Sequence, residues 1–108
     1  MTARQRLPNR REHQVIPFEF GGIRFTAGIG RYDDGRLAEV FIDCNKLGSA
    51  VEANAKAGAI ILSLALQHGV ALSTIAHALP KNGGGKLTSP IGAIVKLLME
   101  GEAQQPAA

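Results

Sequence analysis

The 108-residue chain has no tryptophan, one tyrosine and one cysteine. A single cysteine, Cys44, excludes an internal disulfide and any all-cysteine metal site. Phe18, Phe20, Phe25 and Phe41 are the only bulky core candidates, so the rest of the core must be Ile, Leu, Val and Ala. No apolar run approaches the roughly 18 residues that a membrane-spanning helix needs. The opening Met1-Thr2-Ala3-Arg4-Gln5-Arg6 is basic but lacks the apolar centre of a secretory signal. A cytoplasmic protein with no membrane association is therefore expected. Histidine is scarce as well. His13, His68 and His77 fall on separate segments, and neither they nor Cys44 show the spacing of a nucleophile–base pair or a metal site. No catalytic residue, metal ligand or cofactor site is predicted.

What is present fits one small domain. Hydrophobic residues make up 45% of the chain, enough for one modest core. The net charge of +3 is unevenly spread. Residues 1–13 hold Arg4, Arg6, Arg10 and Arg11 against Glu12, and the remaining charges cancel. The expected division is a basic flexible arm over 1–13, one folded domain over 14–100 and a disordered tail over 101–108. The arm reads either as a solvated terminus or as a tether to phosphate or an acidic partner surface.

Periodicity changes once along the domain. Extended chain begins at Val15, where Phe18 and Phe20 alternate with Glu19 until Gly21-Gly22. Ile23, Phe25, Ala27 and Ile29 then point one way. Tyr32-Asp33-Asp34-Gly35 supplies a turn, and residues 37–43 form a third strand. Ala38, Val40 and Ile42 share its inner face. Leu37, Glu39, Phe41 and Asp43 form a mixed outer face, which puts Phe41 under a loop or at an interface. After Gly48 the period becomes helical. Ser49 and Glu52 form a capping box. Val51, Ala55, Ala59, Leu62 and Leu66 make an apolar stripe, widened by Gly58, Ile61 and Ala65, and Gly69 ends it. Ser73 is expected to cap a short helix that Pro80 ends. Asn82-Gly83-Gly84-Gly85 reads as a flexible connector. Ser89 and Pro90 open a last helix over 90–100 that Gly101 closes. Strands followed by helices predict an α+β fold: a three-stranded antiparallel meander with three helices packed on one face.

Two motifs allow chemistry beyond packing. Lys81-Asn82-Gly83-Gly84-Gly85-Lys86 is glycine-rich, flanked by lysines and followed by a capped helix, an arrangement able to hold an anion. It lacks the spacing and preceding strand of a phosphate-binding loop. Ala65, Gly69-Val70 and Ile75 match the spacing of a helix-turn-helix. Its second helix would present Ser73, Thr74 and His77, with no Arg or Lys to read guanine or grip phosphate.

Gly22-Ile23-Arg24-Phe25-Thr26, the run from Gly35 through Leu37-Ala38-Glu39-Val40-Phe41-Ile42, Lys46-Leu47-Gly48-Ser49 and Ser63-Leu64-Ala65-Leu66 together carry a likeness. They resemble the C-terminal domain of adenosylcobalamin-dependent (class II) ribonucleotide reductases, a module named TSCPD after its cysteine motif. The module also occurs as short free-standing bacterial proteins, and the opening Leu7-Pro8-Asn9-Arg10-Arg11 of this chain resembles theirs. The resemblance covers residues 7–98. Where the naming motif would fall, this chain has Thr88-Ser89-Pro90 and skips the cysteine. The metal-binding or reductant-passing role of the reductases' C-terminal cysteines therefore does not carry over to Ser89 or Pro90. Adenosylcobalamin is implied only by association with a full reductase, since 108 residues leave no room for the barrel that holds it. The expectation is a non-catalytic accessory module that binds a protein partner or a nucleotide. It would do so through the arm (Arg4, Arg6, Arg10, Arg11) and the joint (Lys46, Gly48, Ser49), and the mixed face of the third strand suggests a homodimer. The alternative is a DNA-binding protein using Ser73, Thr74 and His77, with Lys81 and Lys86 as anion contacts. A redox subunit is the third reading, disfavoured by the missing cysteine.

Overall fold

Gly21 and Gly22 both take positive φ, at 60° and 77°, which a β-carbon disfavours. They form the tight turn that such a glycine pair permits. β1 (His13–Phe20) thus folds back antiparallel on β2 (Ile23–Arg31), with Phe20 opposite Ile23. A second turn, with Gly35 at φ 88°, lays β3 (Leu37–Cys44) on the other side of β2. The register shifts between Gly30 and Arg31, leaving Ala38 as the extra residue of a bulge in β3. The helices α1 (Ala50–Gln67), α2 (Leu72–Ala78) and α3 (Pro90–Gln104) follow. The expected α+β meander and three helices are present. The structure is a computed structural model and describes residues 3–7 and 13–104. Arg10 and Arg11, and the end of the predicted tail, lie outside the described residues.

One face of the sheet is the core face. Phe25, Ala27, Ile29, Val40, Ile42 and Cys44 are buried there, and Ile16, Phe18 and Phe20 of β1 pack against them. Phe18 stacks on Phe25 with centroids 5.1 Å apart. α1 presents Ala55, Ala59, Leu62 and Leu66, and α3 presents Ile94, Val95 and Leu98, as their spacing predicts. Small residues let the helices close on each other. At Gly58 a β-carbon would stand 2.5 Å from Ile91 Cγ1, so the Ile91 side chain of α3 packs directly on the α1 backbone there.

Both sheet edges are blunted against strand addition. Val40 turns its N–H away from β2 toward Ser63 of α1. By antiparallel alternation Ile29 then bonds to β1, and residues 13, 15, 17 and 19 face the free edge of β1. Pro17, which has no N–H to offer, occupies that edge. The β3 edge is covered by α1 at Ala38 and Val40.

The caps follow the sequence in two helices and depart from it in one. Ser49 Oγ accepts from Glu52 N at 3.1 Å. Glu52 Oε1 accepts from Gly48 N at 2.9 Å, one residue earlier than the usual reciprocal bond. Gly69, at φ 87°, ends α1, and Val70 N donates to Ala65 O at 3.0 Å. Ser89 Oγ accepts from Gly92 N at 2.9 Å and opens α3 as predicted. Ser73, however, is not the cap of α2. Ala71 holds that position without a side-chain bond, because Leu72, Ile75, Ala76 and Leu79 together pack on the core and so set the start of the helix. Nor does Gly101 close α3, which continues to Gln104. A glycine inside a helix costs only about 1 kcal/mol, and the flanking Glu, Ala and Gln residues favour helix. Ile61, expected to widen the apolar stripe of α1, is 68% exposed.

Candidate binding clefts

The first cleft lies where α1 crosses the β3 edge. Ser63 and Gln67 project from α1 onto β3. The Ser63 hydroxyl accepts from Val40 N at 2.9 Å, and Gln67 Nε2 donates to Ala38 O at 3.1 Å. Ile42 shares the parity of Val40, so its outward N–H and C=O face the same way, and no described residue bonds to them. Here α1 and β3 part into a cleft of about 510 Å³ that includes Ile42, Lys56, Ile60 and Leu64. Phe41 (48% exposed), Ile60 (60%) and Leu64 (38%) give it apolar walls. Lys56, 3.9 Å from Asp43 and 3.8 Å from Glu52, marks one end, and Arg4 the other. Phe41 stands on the outer face of the sheet with its ring 5.5 Å from that of His13. It is neither buried under a loop nor fully free.

Part of the arm is tied to this region. Arg4 Nε donates to Gln67 Oε1 at 2.6 Å, and Gln5 N donates to Gln67 O at 2.8 Å. The Tyr32 hydroxyl donates to Gln5 O at 2.5 Å, and Arg36 donates to the Gln5 side chain at 2.9 Å while lying over the Tyr32 ring. Arg4 and Arg6 are both exposed, and Arg4 is already bonded. Lys46, Gly48 and Ser49 stand at the other end of α1, whose 18 residues span roughly 27 Å at 1.5 Å each. The structure does not bring Arg4 and the joint together. Gly48 and Ser49 serve as the helix cap, and the Lys46 carbonyl accepts from Ser49 Oγ at 2.7 Å.

The second cleft is basic. The expected connector is an organised turn rather than an open one. Lys81 and Leu87 form a bridge, and Asn82 Oδ1 accepts from Gly84 N and Lys86 N at 2.9 and 3.1 Å. Gly85 takes φ 79°. The turn faces α2 and α3 across a cleft of about 530 Å³ whose lining includes His77, Lys81, Lys86 and Lys96. Of the residues singled out in the sequence, His77, Lys81 and Lys86 come together here. Ser73 and Thr74 are exposed but do not line the cleft.

Cys44 is buried in the core, with its sulfur accepting from Lys46 N at 3.4 Å. Thr88-Ser89-Pro90 forms the start of α3, with Thr88 Oγ1 donating to Pro80 O at 3.2 Å. Among the described residues no cluster of His, Cys, Asp and Glu could hold a metal ion, and no helix is long and apolar enough to cross a membrane.

Ile60, Leu64 and Lys96 are site residues that the sequence reading missed. The first two carried a signal. Apolar positions on α1 extend beyond the buried stripe, and a helix apolar on more than one side is normally covered. Lys96 sits on the polar side of α3 and had none, because its relation to Lys86 depends on how the turn folds.

A small antiparallel sheet, covered by helices on one face and bearing two open clefts, defines a small α+β module. A profile of the TSCPD domain family matches residues 2–101, and the chain belongs to that family. It is 40% identical over 78 residues to a vitamin B12-dependent ribonucleotide reductase of Bradyrhizobium diazoefficiens, a match covering 72% of this chain and 6% of that protein. The corresponding protein of Agrobacterium fabrum is 40% identical over 75 residues, covering 69% of this chain and 6% of the reductase. That of Rhodopirellula baltica is 35% identical over 74 residues, covering 68% and 7%. The chain therefore spans only a small fraction of the curated relatives it matches. No solved structure matches it significantly.

Proposed function

We propose that this chain is a non-catalytic accessory module that docks on a vitamin B12-dependent ribonucleotide reductase through the cleft between β3 and α1. The observation that supports this reading most is the exposed apolar wall of Phe41, Ile60 and Leu64 beside the open stretch of strand edge at Ile42. Such a patch, rimmed by Arg4, Lys56 and Asp43, has the make-up of a docking surface. The relatives carry the related segment as 6 to 7% of a far longer chain, so a body of the reductase kind is the natural neighbour of this module. Chemistry and adenosylcobalamin would belong to that partner.

The test is calorimetric titration of the chain into a purified B12-dependent reductase from the same cell, with Ile60→Asp and Leu64→Asp as variants. Both side chains are exposed, so the melting temperature should stay within a few degrees. Truncating an interface hot spot costs more than about 1 kcal/mol, so at least a several-fold loss of affinity is expected for each. Absence of binding, binding indifferent to both variants, or self-association through the same patch would each overturn the reading.

A further inference from the structure

The basic cleft shares no lining residue with the docking cleft, and its assignment does not rest on the docking reading. Its charge is one-sided. Lys81, Lys86, Lys96 and His77 line it, and no aspartate or glutamate does. Cationic side chains gathered in one concavity repel each other and focus a positive potential into it, which an anion relieves.

The three lysines differ in what they can offer. Lys81 Nζ donates to Ala76 O and His77 O at 2.9 Å and to Leu79 O at 3.0 Å. Its hydrogens close the carbonyl end of α2, so it contributes a fixed charge. Lys86 and Lys96 form no side-chain hydrogen bond or ion pair among the described residues, and their donors are open to a ligand. The Lys86 backbone is held from both sides, its N–H by Asn82 Oδ1 at 3.1 Å and its carbonyl by Asn82 N at 2.9 Å. Lys96 rises from α3. The cleft thus approaches a ligand from two separately anchored elements.

Below the lysines the cleft is apolar, with Phe20 of β1, Leu87 of the turn and Met99 of α3 in its lining. All three are only partly buried. An inorganic anion would use the lysines and leave this floor wet. A molecule with a phosphate at one end and a flat apolar body at the other would use both, and a cleft of about 530 Å³ lies within the size range of small-molecule sites. We infer that this cleft binds a small organic phosphate, with the phosphate between Lys86 and Lys96 and the apolar body on Phe20, Leu87 and Met99.

The experiment is a titration of the isotope-labelled full chain with adenosine monophosphate, inorganic phosphate and adenosine in turn, followed by amide chemical shifts. Adenosine monophosphate should shift Lys86, Lys96 and Met99 saturably and bind at least about tenfold tighter than either fragment. Lys86→Ala with Lys96→Ala should weaken it by roughly tenfold or more, the loss of charge-assisted bonds to phosphate. Both side chains are exposed, so the melting temperature should not move. No saturable shift at millimolar ligand would overturn the inference. So would equal binding of phosphate and nucleotide, which marks a bare anion patch. A single-stranded oligonucleotide that binds the same residues far more tightly, and weakens steeply with salt, would overturn it in favour of nucleic acid.

Discussion

The Ser63 hydroxyl and the Val40 backbone satisfy each other across the edge of the sheet. Ser63 Oγ accepts from Val40 N at 2.9 Å, and its proton lies within reach of Val40 O at 3.0 Å and Ala59 O at 2.8 Å. One side chain thereby replaces the missing fourth strand at this point. Ser63→Ala leaves the Val40 N–H without a partner in a part-buried place. An unsatisfied buried donor costs about 1–3 kcal/mol, which in a domain of this size lowers the melting temperature by roughly 4–8 °C for each kcal/mol. Calorimetry checks the size of the effect, and amide exchange should show Val40 among the residues most affected.

Gly58 sets the approach of α1 to α3. In an exposed helix, Gly→Ala gains about 1 kcal/mol. Here the new β-carbon would meet Ile91 Cγ1 at 2.5 Å and Cδ1 at 3.0 Å. Overpacking of this kind costs about 1–3 kcal/mol, so Gly58→Ala should be destabilising on balance. Adding Ile91→Ala removes the clash, and the pair should therefore be non-additive. Chemical denaturation of the two single variants and the double variant measures the coupling. Additive losses would show that the helices simply separate to make room.

The contrast between Ser63 and Gly58 shows what was legible beforehand. The strands, the turns at Gly21-Gly22 and Gly35, the box at Ser49 and Glu52 and the stop at Gly69 were readable because each is local: period, φ sign and cap lie within a few residues of one another. Ser63 fell on the edge of the apolar stripe with no sign that it faced Val40, 23 positions away. The clefts were half legible for the same reason. Lys81 and Lys86 stood out beside the glycines, but Lys96 joined them only through the packing of α3. The sequence offers Arg4 only as part of a solvated or tethering arm, whereas its bond to Gln67 spans 63 positions. Helix starts failed where packing overrode chemistry, as at Ala71 and Ser73.

Asp34 and Arg36 give the β2–β3 turn an acid-sensitive clamp. Asp34 Oδ1 accepts from Arg36 N at 3.0 Å and Oδ2 from Arg36 Nε at 2.7 Å. These bonds, the backbone one first, hold the Asp34 carboxyl below the usual aspartate value. A lowered native value means that the unfolded chain binds the proton more readily. The contribution to stability is thus present above the ordinary aspartate range and fades as pH falls through the native midpoint. Because the pair is exposed, the effect is small. Carboxyl-detected titration should place Asp34 lower in the native protein than in Arg36→Ala, which keeps the backbone bond, and an unchanged midpoint would remove the side-chain half of the clamp.

Gly28 and Gly30 lie on the same outer face of β2 and should respond differently to the same substitution. A β-carbon on Gly28 would sit 3.8 Å from Phe41 Cβ, an ordinary contact. On Gly30 it would sit 2.5 Å from Glu39 Cγ and within overlap of Glu39 Oε2. Glu39 is only 3% exposed, and its Oε2 lies 2.8 Å from His13 Nε2. Gly30→Ala must therefore push a buried carboxyl side chain away from His13, and disrupting a buried polar contact is among the expensive single changes. Gly28→Ala should shift the melting temperature by no more than a few degrees, whereas Gly30→Ala should lose roughly 2 kcal/mol or more. The His13 ring protons should move in the second variant and stay in place in the first. Equal losses from the two would mean that the strand resists any side chain on this face, and that Glu39 has no special claim on the space above Gly30.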